Sequence, residues 1–351
     1  MRLLSIIAVL LLVAGCSTEE PAKAQFTKVT VPGVPARLAA QGDQLVVATR
    51  VAGKPAMVRY RAGKVTEVAL TPTTGYGAEA LWYSLSADAD QLLAIGGKTG
   101  GAHGNVRWSV WRTTPDGGLA EQPQPFSTFG GLGGGALIDG VLPTKGGPLL
   151  VGTWQSHSAG ADVMLWATDG TYWNRQDVAG TPLESTSASL KFPESAAAHG
   201  ADVVIAGWVV DKGRQRPVVW TLRDGVATLA PLPDGGRNGT AITVSCADTC
   251  SIAGRVDGKL ALWRQDGNSW RRRSDVPVVT VGDRDRPVPP VGDTLVYSDR
   301  GNVHVATLGG DDRAAAGPTG VVTAVTRVGD TTYVLAGPDD DKQTLWRADP
   351  G

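Results

Sequence analysis

Residues 250–270 read CSIAGRVDGKLALWRQDGNSW. A short apolar run from Cys250 to Ala253 is followed by a polar gap, a second apolar run ending at Trp263, and Asp266-Gly267 ahead of Trp270. Runs of this length with turn residues between them are strands, and Asp-Gly supplies the positive φ angles of a tight β-hairpin. The stretch therefore holds three strands of one antiparallel unit. Working outward from it, the same first run recurs at Leu45, Leu92, Leu149, Val203, Leu295 and Tyr333, so that the seven starts lie 47, 57, 54, 47, 45 and 38 residues apart. In most units a second run follows and ends in an aromatic: Tyr60, Trp111, Trp166, Trp220, Trp263 and Trp346. The sixth unit, which ends at Ala306, lacks it. A half-apolar stretch closed by a turn precedes the first run, as in Arg37 to Asp43 and Val325 to Asp330.

Four short strands repeated seven times at 38–57 residue spacing predict an all-β chain, a seven-bladed β-propeller of four-stranded antiparallel blades. A solenoid or a pair of β-sandwiches accounts for the period less well. The chain stops at Trp346-Arg347-Ala348-Asp349-Pro350-Gly351, where a fourth strand is due, and Phe26 to Val31 forms a strand with no unit of its own. The N-terminal strand is therefore expected to complete the last blade and close the ring.

Trp166-Ala167-Thr168-Asp169-Gly170-Thr171-Tyr172-Trp173 shares the W-x-x-D-G-x-x-W pattern with Trp263 to Trp270. This pattern resembles a degenerate Asp-box of sialidase-like (BNR) propellers, matched at Thr168, Asp169, Gly170 and Trp173 and less well at Gln265, Asp266, Gly267 and Trp270. It departs from the box by one residue, because Asp and Gly are adjacent. The box is structural in those proteins, so the resemblance implies architecture and assigns no catalytic residue.

The 351 residues are 42% hydrophobic and 19% charged with a formal net charge of -1, which excludes a disordered chain and the electrostatic pull of a nucleic-acid binder. Residues 1–16, MRLLSIIAVLLLVAGC, place one Arg before an apolar run from Leu3 to Val13. Eleven residues at 1.5 Å rise span about 16 Å, half of a ~30 Å hydrocarbon core, so the run is a removable signal rather than a spanning helix. Val13-Ala14-Gly15-Cys16 resembles the lipobox of bacterial lipoproteins. That resemblance implies lipidation of Cys16, removal of residues 1–15, and a membrane partner reached through the lipid anchor on the extracytoplasmic face. Residues 16–25 read as a polar tether containing Pro21, and 26–351 as the propeller. In an exported protein, Cys246 and Cys250, which bracket a three-residue turn, are expected to form a disulfide.

Propeller loops that join second to third strands gather at one face of the ring. The position just after the first apolar run reads Arg50, Gly97, Trp154, Trp208, Arg255, Arg300 and Pro338. Arginines offer paired donors for carboxylate or sulfate, and Trp rings can stack on sugars. The competing reading pairs these arginines with nearby aspartates such as Asp257 and Asp299 and packs the tryptophans between loops. His103 and His157 lie in long loops of the same face and form a candidate metal or acid-base pair. A sialidase-like or other carbohydrate-active hydrolase is the alternative function, but Tyr297 falls within an apolar strand, and Glu184 and Glu194 sit in a loop from Gly180 to Glu194 without a recognised context. No catalytic residue, metal site or cofactor is assigned. Arg271-Arg272-Arg273 reads as a solvated outer edge, and Asp339-Asp340-Asp341 lacks the spacing of a calcium loop. The expectation is a monomeric, lipid-anchored binding or scaffolding module for a glycan, envelope component or protein partner.

Overall fold

The computed structural model describes residues 23–100 and 104–348. Cys16, the signal segment and His103 lie outside them. Blade 1 consists of Val34–Gln41, Gln44–Val51, Lys54–Arg61 and Lys64–Glu67, four antiparallel strands joined by short turns. Blades 3, 4 and 5 repeat that order, and blade 2 adds a two-residue strand, Leu70–Thr71, parallel to its outer edge. In every one of these blades the apolar run of the sequence repeat is the second strand, buried on both faces.

The last two blades form one seven-stranded sheet. Blade 7 is built from Val321–Val328, Thr331–Gly337 and Thr344–Ala348, and its fourth strand is the N-terminal Ala24–Val29, which pairs Phe26 with Ala348 and Val29 with Leu345. The ring closes as the sequence predicts. This strand begins at Ala24, two residues earlier than the sequence indicates, and Ala24 and Gln25 pair in parallel with Ala315 and Ala316 of blade 6. Blade 6 itself has three strands, Thr294–Asp299, Asn302–Thr307 and Asp312–Thr319. Where its first strand is due, residues 286–290 read Arg-Pro-Val-Pro-Pro, and proline cannot supply the ladder donors of an inner strand.

The first strands of the other six blades line the centre of the ring: Val34–Gln41, Leu81–Ala87, Gly134–Val141, Ser189–His199, Gly239–Cys246 and Val321–Val328. Each carries a β-bulge at the same place, with Ala36, Tyr83, Ile138, Glu194, Ile242 or Thr323 as the extra residue. A bulge inserts one residue and re-aims the next. The bulged strand presses on its neighbour, and a Cβ at Gly207 or Gly254 would come within 2.3 Å of the Phe192 carbonyl oxygen or 2.1 Å of that of Thr240.

In five of the six bulged strands the residue after the bulge ties one blade to the next. Arg37 Nε donates to the Tyr83 carbonyl at 2.8 Å, and Ser84 Oγ donates to Asp139 Oδ1 at 2.9 Å. Asp139 Oδ2 accepts the Ala196 N–H at 2.7 Å, Ser195 Oγ accepts the Val244 N–H at 3.1 Å, and Thr243 Oγ1 donates to the Pro287 carbonyl. Blade 6 reaches blade 7 through Ser298 Oγ, which accepts the Val322 N–H at 2.8 Å. At the seventh junction the post-bulge residue is Ala324; there Tyr60 and Tyr333 meet edge to face at 6.0 Å, and Arg50 pairs with Asp341.

Between blades the core is aromatic and aliphatic. Trp111, Trp166, Trp220 and Trp263, the aromatics that end the third-strand runs, are fully buried. Three of them also hold the segment leading into their own blade: Trp166, Trp220 and Trp263 donate their indole N–H to the carbonyls of Thr128, Pro182 and Pro233 at 2.9, 3.0 and 2.8 Å. Cys246 and Cys250 face each other across the first hairpin of blade 5 and form a disulfide.

Candidate functional site

The turns between second and third strands, with the segments between blades, form one face of the ring. Its largest cavity, about 810 Å³, opens over blades 4 and 5 and the segment that stands in for the first strand of blade 6. Trp208 and Arg255, both singled out from sequence, line it together. They lie on the second strands of blades 4 and 5, Asp202–Asp211 and Cys250–Val256.

Around this cavity the acids already have partners. Glu194, the bulge residue of blade 4, accepts the Trp208 indole N–H at 3.2 Å and pairs with Arg286 at 2.9 Å. Asp283 pairs with Arg255, whose side chain is only 16% exposed. Asp257 accepts the backbone N–H groups of Asn238 and Arg237 at 3.0 and 3.1 Å, and those two bonds hold its carboxyl below the usual carboxylate range. Asp285 accepts the Gly282 N–H at 2.6 Å.

One buried polar group is left over. Thr240 lines the cavity at 6% exposure, and its hydroxyl has no hydrogen-bond partner among the described residues. A buried hydroxyl without a partner carries an uncompensated desolvation cost of about 1–3 kcal/mol.

The remaining sequence candidates are dispersed. Arg50 lines a smaller cavity, about 180 Å³, where blades 7, 1 and 2 meet, and is paired with Asp341. Trp154 and His157 line a third cavity, about 300 Å³, on blade 3. There the Glu184 carboxyl is held low by the Ser158 hydroxyl and the Gly180 N–H. Arg300 is exposed on a tight turn with a φ of 50°. The tryptophans each have one ring face covered from within: Phe192 stacks on Trp208 at 4.0 Å, and the Arg175 guanidinium lies 3.9 Å over Trp154. The sequence reading put Glu194 in a loop, whereas it belongs to the strand Ser189–His199. Pro193 and the bulge interrupt the alternation there, and the loop reading followed from that interruption. Arg286, Thr240 and Asp283 were also missed, since none carries a signal in its own neighbourhood of the chain.

No family model matches the chain, and no curated protein does either. Among solved structures, the chain is similar to the Cps50 (Swd1) β-propeller domain of Myceliophteria thermophila, at 10% identity and a TM-score of 0.58 over 93% of this chain and 100% of that one. A puromycin hydrolase matches at 17% identity and a TM-score of 0.57, covering 93% of this chain and 55% of the other. The chain thus spans about half the length of the puromycin hydrolase structures it matches. YCF48 from Cyanidioschyzon merolae matches at 12% identity and a TM-score of 0.53, covering 93% and 99% of the two chains. At such identities the likeness concerns the fold alone, and together with the ring of bulged inner strands it establishes a β-propeller domain.

Proposed function

We propose that the protein is a binding module, a β-propeller carried by a lipid anchor at Cys16 on the extracytoplasmic face of a bacterial membrane, which takes a glycan or other envelope component in the cavity over blades 4 to 6. The observation that carries this reading is a pre-formed cavity of about 810 Å³ in which Trp208 and Arg255 stand together among polar side chains. Pre-formed concave sites with a few converging polar groups are where proteins hold small ligands.

The hairpin around Asp169 supports the sialidase-like kinship as architecture. Asp169 Oδ1 accepts the N–H groups of Thr171 and Tyr172 at 2.9 and 2.7 Å, Thr168 Oγ1 accepts that of Gly170 at 2.9 Å, and Trp173 is buried beneath the turn. The hydrolase alternative gains less. Tyr297 donates its hydroxyl to Asp312 at 2.6 Å, and burial, then that bond, pushes its pKa upward, away from nucleophile chemistry.

Anchoring at Cys16 also sets an orientation. The strand Ala24–Val29 starts at the end of blade 7 that carries the Gly329-Asp330 turn and runs toward the face of the cavity. On this reading the bilayer lies under the opposite face, and the cavity points away from it. The test is a glycan array probed with the wild type and with the Trp208→Ala, Arg255→Ala double variant. Binding lost in the variant supports the cavity, and equal binding by both moves the ligand elsewhere.

A further inference from the structure

The cavity does not end at its rim. Gln215 lines both it and a smaller groove, about 220 Å³, between the outer strands of blade 4 and the segment leading into blade 5, floored by Pro217, Pro231 and Leu232. Exposed arginines flank the pair: Arg214 and Arg237 line the groove and Arg284 the cavity. Among the described residues these three guanidiniums have no ion pair or side-chain hydrogen bond. The carboxylates around them are engaged, Glu194 by Trp208 and Arg286, Asp283 by Arg255, Asp257 and Asp285 by backbone N–H groups. Among the residues that line the two hollows the free charge is therefore cationic, beside the neutral side-chain amides of Gln215 and Asn238.

We infer that the cavity and groove form one continuous site for an acidic oligosaccharide, whose carboxylate or sulfate groups meet Arg214, Arg237 and Arg284. The inference deepens the binding reading above and rests on it. Guanidinium forks match planar anionic groups with two parallel hydrogen bonds, and fixed neighbours leave the arginines free to turn toward a ligand. Asp257 holds the separating segment in place through the Arg237 and Asn238 N–H groups, and a side chain at Gly236 would come within 2.4 Å of its carboxylate, so the path between the two hollows is a fixed part of the fold.

The experiment titrates the full chain with oligogalacturonate and with a size-matched neutral dextran oligomer. Two triple variants accompany the wild type: Arg214→Ala, Arg237→Ala, Arg284→Ala, and, on the opposite face, Arg61→Ala, Lys64→Ala, Lys145→Ala, which removes the same net charge. We expect oligogalacturonate to bind the wild type at least about tenfold more tightly than dextran, to lose at least about tenfold in the first variant, and to change by less than about twofold in the second. Equal loss in both variants would reduce the effect to net charge and overturn the inference. Dextran bound as tightly as the acid, and lost on Arg255→Ala, would overturn it while leaving the binding reading intact. Binding of neither oligomer would overturn both.

Discussion

The Ser84 hydroxyl of blade 2 donates to the Asp139 carboxylate of blade 3 at 2.9 Å and also accepts the Gly140 N–H at 3.2 Å. With the Ala196 N–H on its other oxygen, Asp139 joins three consecutive blades at the centre of the ring. The bulge before each inner-strand polar residue aims it at the next blade, so the propeller is held by a circuit of inter-blade hydrogen bonds as well as by its aromatic core.

Ser84→Ala is expected to destabilise the fold by about 1–3 kcal/mol, because it leaves a buried N–H and a carboxylate oxygen without a partner. Burial, the largest influence on Asp139, holds its pKa above the ordinary 3.8, against the opposing bonds from Ala196 and Ser84 and the fields of Arg286 and Arg37. The folded protein thus keeps this proton more tightly than the unfolded chain does. The stability it contributes is complete below the unfolded value and is lost as pH rises through the raised folded value. Urea unfolding of the wild type and Asp139→Asn across that range should show the wild type losing ground as pH rises, and a constant difference would contradict the assignment.

Ring closure rests on the N-terminal strand. Phe26 is buried among Val296, Val322 and Val334. Phe26→Ala is expected to cost about 3–5 kcal/mol, and deletion of residues 24–29 to lower the melting temperature of the whole domain, since it exposes the Thr344–Ala348 edge. Calorimetry checks both, and an unchanged melting temperature for the deletion would contradict closure.

Trp166, Trp220 and Trp263 each have a second task besides filling space. Trp220→Phe retains most of the ring volume but leaves the Pro182 carbonyl without its donor, for an expected loss of about 1–3 kcal/mol. Hydrogen exchange should quicken first in residues 178–186, the segment leading into blade 4. Uniform quickening throughout the blade would contradict a tie to that segment.

The proposed anchor makes a geometric prediction. In vesicles containing brominated lipid, a fluorophore at Asp43→Cys, on the face where the N-terminal strand starts, should be quenched more than one at Lys54→Cys on the cavity face. Cys16→Ala should release the protein from membranes altogether. Stronger quenching at position 54 would reverse the orientation without touching the anchor, whereas membrane retention of Cys16→Ala would remove the anchor.

Much of the architecture is legible because second strands are buried on both faces and read as continuous apolar runs, as Val203 to Ala206 does. The third-strand aromatics and the Asp-Gly turns mark the rest of most units, and the pairing of the N-terminal strand with the last blade is foreshadowed by Phe26 to Val31, a strand without a unit of its own. Inner strands are harder. An extra residue at the bulge breaks the alternation, so Glu194 reads as loop, while the prolines at 287, 289 and 290 are the signal in sequence that blade 6 has no inner strand. The site is less legible still, because Arg286 meets Glu194 across 92 residues and Ser84 meets Asp139 across 55. Such pairs become visible only once the ring has brought neighbouring blades together. Of the positions after the second strand, which from sequence define one surface, Arg50, Trp154 and the pair Trp208 and Arg255 line three separate cavities.

The most direct measurement is amide hydrogen exchange of the full chain with and without a glycan selected by the array. The account predicts slowed exchange at 236–242 and 280–286, the walls of the cavity around Thr240 and Arg286, with the turns at 42–43 and 267–268 on the opposite face unchanged. Slowed exchange confined to those opposite turns would contradict it.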